Sequence, residues 1–180
     1  TDYTRVESAA AELSFHVNDV PEEAGEPAGI AGIIKFDDYV GTASAGTLAT
    51  EFEAGSIKLT IVADDAKKMV VDANKSLFGT ADAQTTYEYR FKTGATSGAA
   101  SALKLTVAAK GTLKFAVRTG SNSSVRNLKL ENAGTELLAC ELDESKQKHT
   151  VGDVSYYDYF TVEVEAGEYD LTYGAGAVNI

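Results

Sequence analysis

The residues able to do chemistry in this chain are mostly carboxylates. Asp37-Asp38 and Asp64-Asp65 are adjacent pairs, and Asp153 with Asp158 makes a looser one. A glycosidase needs two carboxyls converging across a cleft, one of them with a raised pKa. Neighbours along a strand point to opposite faces, so adjacency does not supply convergence. Nothing in the sequence marks out two of the 27 acidic residues for that role, and their expected task is to solvate the surface and blunt sheet edges. The chain has no GxSxG, P-loop or dinucleotide spacing, and Gly174-Ala175-Gly176 reads as a turn before the last strand. His16 and His149 lie far apart without a cysteine pair or HExxH pattern, so a zinc site is unsupported. No catalytic residue is expected, and no cofactor is required. Asp64-Asp65, Asp37-Asp38 or Asp153 with Asp158 could give oxygen ligands to a structural Ca2+, although the spacing is not that of an EF-hand.

Cations and tyrosines offer binding chemistry instead. Arg90 and Lys92 share one strand parity, Lys104 lies outward on the next run, and Lys114 with Arg118 outward on the one after. If those strands are neighbours, a basic groove crosses one open sheet face of an acidic protein. Such a groove suits a carboxylated polymer, because guanidinium groups engage carboxylates bidentately. The alternative is a scatter of solvated cations balanced by Glu88, Glu131 and Glu165. In Tyr156-Tyr157-Asp158-Tyr159 the consecutive tyrosines cannot all face a core, so at least one is expected at a surface or edge, where a ring could stack on a sugar. Ordinary strand-edge tyrosines are the other reading. The absence of Trp speaks against a cellulose-type platform.

The elements that must position these groups are strands. Apolar and polar residues alternate in Ser56–Val62, in Tyr87–Lys92, through Leu103, Leu105 and Val107, through Leu113, Phe115 and Val117, and in the final Phe160–Glu165 and Tyr169–Tyr173. Such alternation marks antiparallel sheets with one buried face. Lys110-Gly111 and Ala166-Gly167-Glu168 read as tight hairpins; Thr119–Ser124 and Gly94–Ser101 read as loops. The spacing predicts an all-β, antiparallel two-sheet β-sandwich, jelly-roll-like, as one domain over residues 1–180. Residues 1–55 are less regular. Ala9–Val17 could be a strand or a short helix, Asn18–Gly29 is a proline- and glutamate-bearing loop, and the stretch from Phe36 to Thr50 resists assignment.

Composition narrows the partners. The 180 residues carry a net charge of −11, which repels phosphate backbones and anionic headgroups, so nucleic acid and membrane are poor partners. No apolar run approaches membrane-helix length. The start at Thr1-Asp2-Tyr3 and the strand-like end at Val178-Asn179-Ile180 read as a mature or excised segment. The single cysteine, Cys140, cannot form an internal disulfide and is expected to be buried as a small hydrophobe within Leu137-Leu138-Ala139-Cys140.

From about residue 55 onward, the order of motifs resembles the β-sandwich carbohydrate-binding modules appended to bacterial pectate lyases and related plant-cell-wall enzymes. The likeness rests on Lys68-Met69-Val70-Val71-Asp72 with Asn74-Lys75-Ser76, and on Tyr89-Arg90-Phe91-Lys92-Thr93-Gly94. It continues in Gly111–Arg118 and Ser121–Leu128, and closes on Gly167-Glu168-Tyr169-Asp170-Leu171 and Ala177-Val178-Asn179-Ile180. The resemblance implies a non-catalytic module, secreted and extracellular, that holds a covalently linked enzyme near pectin (homogalacturonan) or another matrix polysaccharide. It also implies that basic side chains meet galacturonate, which favours Arg90, Lys92, Lys114, Arg118 and Arg126. A monomer is expected. The competing expectations are a neutral-glycan binder (β-glucan, xyloglucan or mannan) using Tyr156, Tyr157 or Tyr159, and a structural or adhesin-type spacer.

Overall fold

A computed structural model describes residues 29–39, 50–62, 69–94, 103–174 and 176–180. The Ala9–Val17 segment, all of the Asn18–Gly29 loop but its last residue, Asp64-Asp65 and the loop after Gly94 lie outside the described residues. In chain order the strands begin with β1 (Glu51–Ala54), β2 (Ile57–Ile61), β3 (Val70–Thr80), β4 (Ala83–Lys92) and β5 (Leu103–Val107). They continue with β6 (Gly111–Phe115), β7 (Arg118–Thr119), β8 (Arg126–Asn132) and β9 (Thr135–Leu142). One helical turn, α1 (Glu144–Gln147), precedes β10 (Lys148–Val151), β11 (Val154–Tyr157), β12 (Phe160–Val164), β13 (Gly167–Gly174) and β14 (Val178–Asn179). No helix among the described residues is long and apolar enough to cross a membrane.

The fold is an all-β sandwich. One sheet has the order β1-β2-β5-β13-β8-β9, the other β10-β11-β3-β4-β14-β7, and β12 pairs with β6 in a separate ribbon. Pairing is antiparallel except at Tyr157 and Phe78, where β11 runs parallel to β3. Alternation does what the sequence required of it. In the first sheet Leu59 lies opposite Leu105, Leu105 opposite Tyr169, and Leu171 opposite Leu130, so each strand's apolar set lands on one buried face. These side chains meet Val71, Phe91 and Val178 from the second sheet in a shared core. Each fully buried leucine or phenylalanine stabilises that core by about 1.5–3 kcal/mol relative to exposure. Cys140 is buried within it, as expected.

Two hairpins expected from the sequence are bends instead. Lys110-Gly111 does not fold β5 back on β6, and Ala166-Gly167 does not fold β12 on β13. β5 pairs with β13 in the first sheet, and the same two chain segments pair again as β6 with β12, with Gly111 opposite Val164. A two-stranded ribbon therefore leaves the sheet, and both of its strands break at the same level. Turn-forming residues on both strands allow the ribbon to corner, a device by which strands leave one sheet for another layer. Lys110 Nζ sits 2.6 Å from Glu165 Oε1 across the corner.

Residues Phe36–Tyr39, unassigned from sequence, form one turn of 3-10 helix. Its cause is aromatic packing: Phe36 stacks on Phe91 at 5.3 Å between ring centroids and meets Phe52 edge-on at 5.2 Å. Tyr39 Oη accepts from Glu53 N at 3.1 Å and donates to its carbonyl at 3.2 Å. The segment before this turn is clamped to the β1–β2 hairpin. Ser56 N donates to Ala31 O at 2.8 Å, and Ala31 N donates to Ser56 Oγ at 2.8 Å. A Cβ on Gly32 (φ +101°) would lie 2.2 Å from Ala54 O, and one on Gly55 (φ +59°) 2.4 Å from Ala31 O. Only glycine permits both the left-handed backbone and this approach.

Candidate functional site

The clamp holds Ile30–Ile34 beside a cavity of about 250 Å³ between the two sheets. Ile33, Thr112 and Lys114 line it and are exposed, which places its mouth where the cornering ribbon passes the clamped segment. Of the sequence-expected residues, Arg90, Lys114, Arg118 and Tyr159 line this one space. Lys92, Arg126, Tyr156 and Tyr157 are not among its lining residues.

Arg90 and Asp72 are cross-strand partners on β4 and β3. The contact is bidentate, with Nε 2.6 Å from Oδ1 and Nη2 3.2 Å from Oδ2. Arg90 Nη1 also donates to Asn179 Oδ1 at 3.1 Å, and Asn179 Nδ2 donates to Thr119 O at 3.0 Å. Asn179 in turn lies opposite Arg118, so β14 stitches the two arginine-bearing strands together. Arg90 is thus neutralised and fixed.

Arg118 is held without a carboxylate. Its Nε donates to Ser76 Oγ at 3.0 Å, its Nη2 donates to Asn74 Oδ1, and its guanidinium lies 5.2 Å from the centroid of the Tyr157 ring. Asn74 and Ser76 reach it because β3 carries a bulge between Ala73 and Ser76. A bulge inserts unpaired residues and re-aims side chains. Lys114 Nζ rests 4.5 Å from the centroid of the Tyr159 ring, an attraction between the charge and the ring quadrupole. Among the described residues no ion pair joins Arg118 or Lys114 to an acid, whereas Lys58, Lys75, Lys104, Lys110, Lys129, Lys146 and Lys148 each have one. The nearest acid on the ribbon, Glu163, is engaged by the hydroxyl of Thr112.

The tyrosines form the floor beneath these cations. Phe78 lies between Tyr157 and Tyr159, 5.5 Å from each. Tyr159 Oη and Tyr87 Oη are 3.2 Å apart. Burial first, and the bond to Tyr159 second, hold the Tyr87 phenol well above its ordinary range. Burial, helped by its bond to Glu144 (2.7 Å), pushes Tyr157 up to about 12.

Two expectations need correction, and two further cations lie apart from the cavity. The basic strands are not consecutive neighbours: Lys104 lies in the other sheet, 2.6 Å from Glu168 and 3.4 Å from Asp170, so no open cationic sheet face forms. Strand β4, which carries Arg90, pairs with β3 and β14, whereas β5 pairs with β2 and β13, and the corner in the ribbon sends Lys114 on β6 away from β5. Tyr156 and Tyr157 are both buried and cannot act as exposed platforms. Strand β11 is flanked by β10 and β3; Tyr156 stacks on His149 at 5.2 Å while Tyr157 packs on Phe78. Arg126 opens β8 in the first sheet with its guanidinium against Gly176, where a Cβ would come within 2.7 Å. Lys92 faces Val70 and Asn179 in register, away from the cavity lining.

Sequence reasoning missed Asn74, Ser76 and Asn179, which orient the arginines, and the apolar wall of the cavity. Among the described residues no three acidic, His or Cys side chains converge as metal ligands. Asp37 accepts from Glu88 N at 3.0 Å, and Asp158 lies 2.7 Å from His149 Nε2. No protein-family model matches the chain, and no curated protein is similar to it.

Proposed function

We propose that this chain is a non-catalytic carbohydrate-binding module for an acidic polysaccharide, homogalacturonan being the foremost candidate, carried on a secreted plant-cell-wall enzyme. One observation carries the reading: Arg118 and Lys114 reach a cavity between the sheets without carboxylate partners among the described residues, beside the half-exposed ring of Tyr159. A half-buried guanidinium satisfied only by neutral acceptors keeps its full charge, and an anion entering there forms charge-assisted bonds. A uronate suits the set, with its carboxylate on Arg118 and its ring near Tyr159. The resemblance to modules of pectate lyases supports the same ligand class. With Tyr156 and Tyr157 buried, a neutral-glycan platform loses two of its three rings.

Affinity electrophoresis through homogalacturonan tests the reading. Retardation should fall as salt rises, because exposed charges are screened, and should largely disappear in Arg118→Gln. Xyloglucan and mannan gels should leave migration unchanged. Wild-type protein that migrates freely through homogalacturonan, or is retarded equally at all salt concentrations, refutes it.

A further inference from the structure

The two walls of the cavity differ in chemistry, and the difference deepens the acidic-glycan reading, on which this inference rests. The second sheet supplies Arg118, Asn74, Ser76 and Asn179; the first supplies Leu59, Leu105 and Leu171. These leucines are buried, from the adjacent strands β2, β5 and β13. Among the described residues, the leucine side of the space offers no polar side chain. A wholly apolar cavity of about 150 Å³ stays dry and holds a benzene ring, and the leucine wall offers that chemistry on one side only. The present one is about 250 Å³.

A bare sugar is ill-matched to such a space. Any hydroxyl turned toward the leucines loses its hydrogen bonds to water and gains none in return. A carboxylate on the polar wall with an apolar substituent on the opposite wall satisfies both. We infer that the inner part of the cavity is a pocket for an apolar acyl or aryl ester carried by the acidic glycan. The carboxylate meets Arg118, a sugar ring lies near Tyr159, and the ester group packs on Leu59, Leu105 and Leu171. No bond is made or broken; the pocket selects substituted over bare polymer.

Titration calorimetry with two oligogalacturonates, one unsubstituted and one bearing a benzoyl ester, tests this on the wild type and on Ala116→Leu and Ile34→Phe. Both variants enlarge a cavity-lining side chain, and Ile34 lies outside any strand, so it serves if the first variant melts early. The ester should bind at least about tenfold more tightly to the wild type, as burial of several apolar carbons would give. That advantage should vanish in the variants while the unsubstituted oligomer binds them as before. Equal affinity for the two oligomers, or an advantage surviving in both folded variants, overturns the inference and leaves the acidic-glycan reading standing. Binding of neither oligomer overturns both.

Discussion

Replacing Asp72 with asparagine should make the protein less stable and its grip on homogalacturonan tighter. The carboxylate forms two bonds with Arg90, at 2.6 and 3.2 Å, and the Arg90 side chain is only 18% exposed while that of Asp72 is 40% exposed. Hydrogen bonds to charged groups contribute about 1.5–3 kcal/mol. The water around Asp72 screens part of that, leaving about 1–2 kcal/mol for the pair. In a domain of this size the loss lowers Tm by roughly 2–8 °C. Urea melts of Asp72→Asn, Arg90→Met and the double variant give the coupling directly. Strict additivity, within about 0.3 kcal/mol, would refute the assignment of this energy to the pair. The binding effect has the opposite sign. A neutral amide in place of the carboxylate no longer offsets the charge of Arg90, so the cavity gains one uncompensated cation. Retardation in homogalacturonan gels should then increase, with a steeper salt dependence. A variant that is both less stable and less retarded would show that Arg90 takes no part in attracting the ligand.

The β8–β9 hairpin turns through Ala133 and Gly134, both at positive φ (47° and 82°), and alanine tolerates that region poorly, so Ala133→Asn should stabilise by about 0.5–1 kcal/mol, read as a higher urea midpoint. Cys140 is buried, and desolvation pushes its thiol from 9.0 up to about 12; it should resist an aromatic disulfide reagent in the native state and react fully in denaturant, and rapid native labelling would contradict its burial. Tyr157 is likewise raised from 10.0 to about 12 by burial, so the native state holds its proton more tightly than the unfolded chain does. The stabilisation from these two groups is therefore intact below about pH 9 and drains as pH climbs toward 12, and Cys140→Ala with Tyr157→Phe should flatten the alkaline decline in Tm.

The strands were legible because period-two alternation is local and the sheets impose it without exception on Leu103–Val107 and Tyr169–Tyr173. The corner was not. A bend and a hairpin both require turn-forming residues, and only the partner strand tells them apart: Gly111 faces Val164, not a residue of β5. The same ambiguity hid the cation arrangement. Outward parity grouped Arg90 with Lys92 on one strand, yet which strands lie side by side is set by long-range pairing that no residue pattern encodes. Tyr156 and Tyr157 show the converse error. Consecutive residues on a strand face opposite ways, yet each ring meets an aromatic on its own side, His149 for Tyr156 and Phe78 for Tyr157, and the tyrosine expected at the surface is Tyr159. Asn74 and Ser76 escaped because a bulge breaks the parity on which the reading depends.

The corner also explains why a cavity exists. Had β5 and β6 formed a hairpin, β6 would lie within the first sheet. By leaving it, the ribbon carries Thr112, Leu113, Lys114, Phe115 and Ala116 to a wall of the cavity and brings Lys114 over Tyr159. The clamp of Gly32 and Gly55 then fixes Ile30–Ile34 at another side, so the space is bounded by elements anchored outside it. Filling the cavity therefore need not move either sheet. A guest of suitable shape gains burial against Leu59, Leu105 and Leu171 and a charge partner at Arg118, while the protein gives up little packing to admit it. Preorganisation of this kind favours affinity, because few side chains must be ordered on binding.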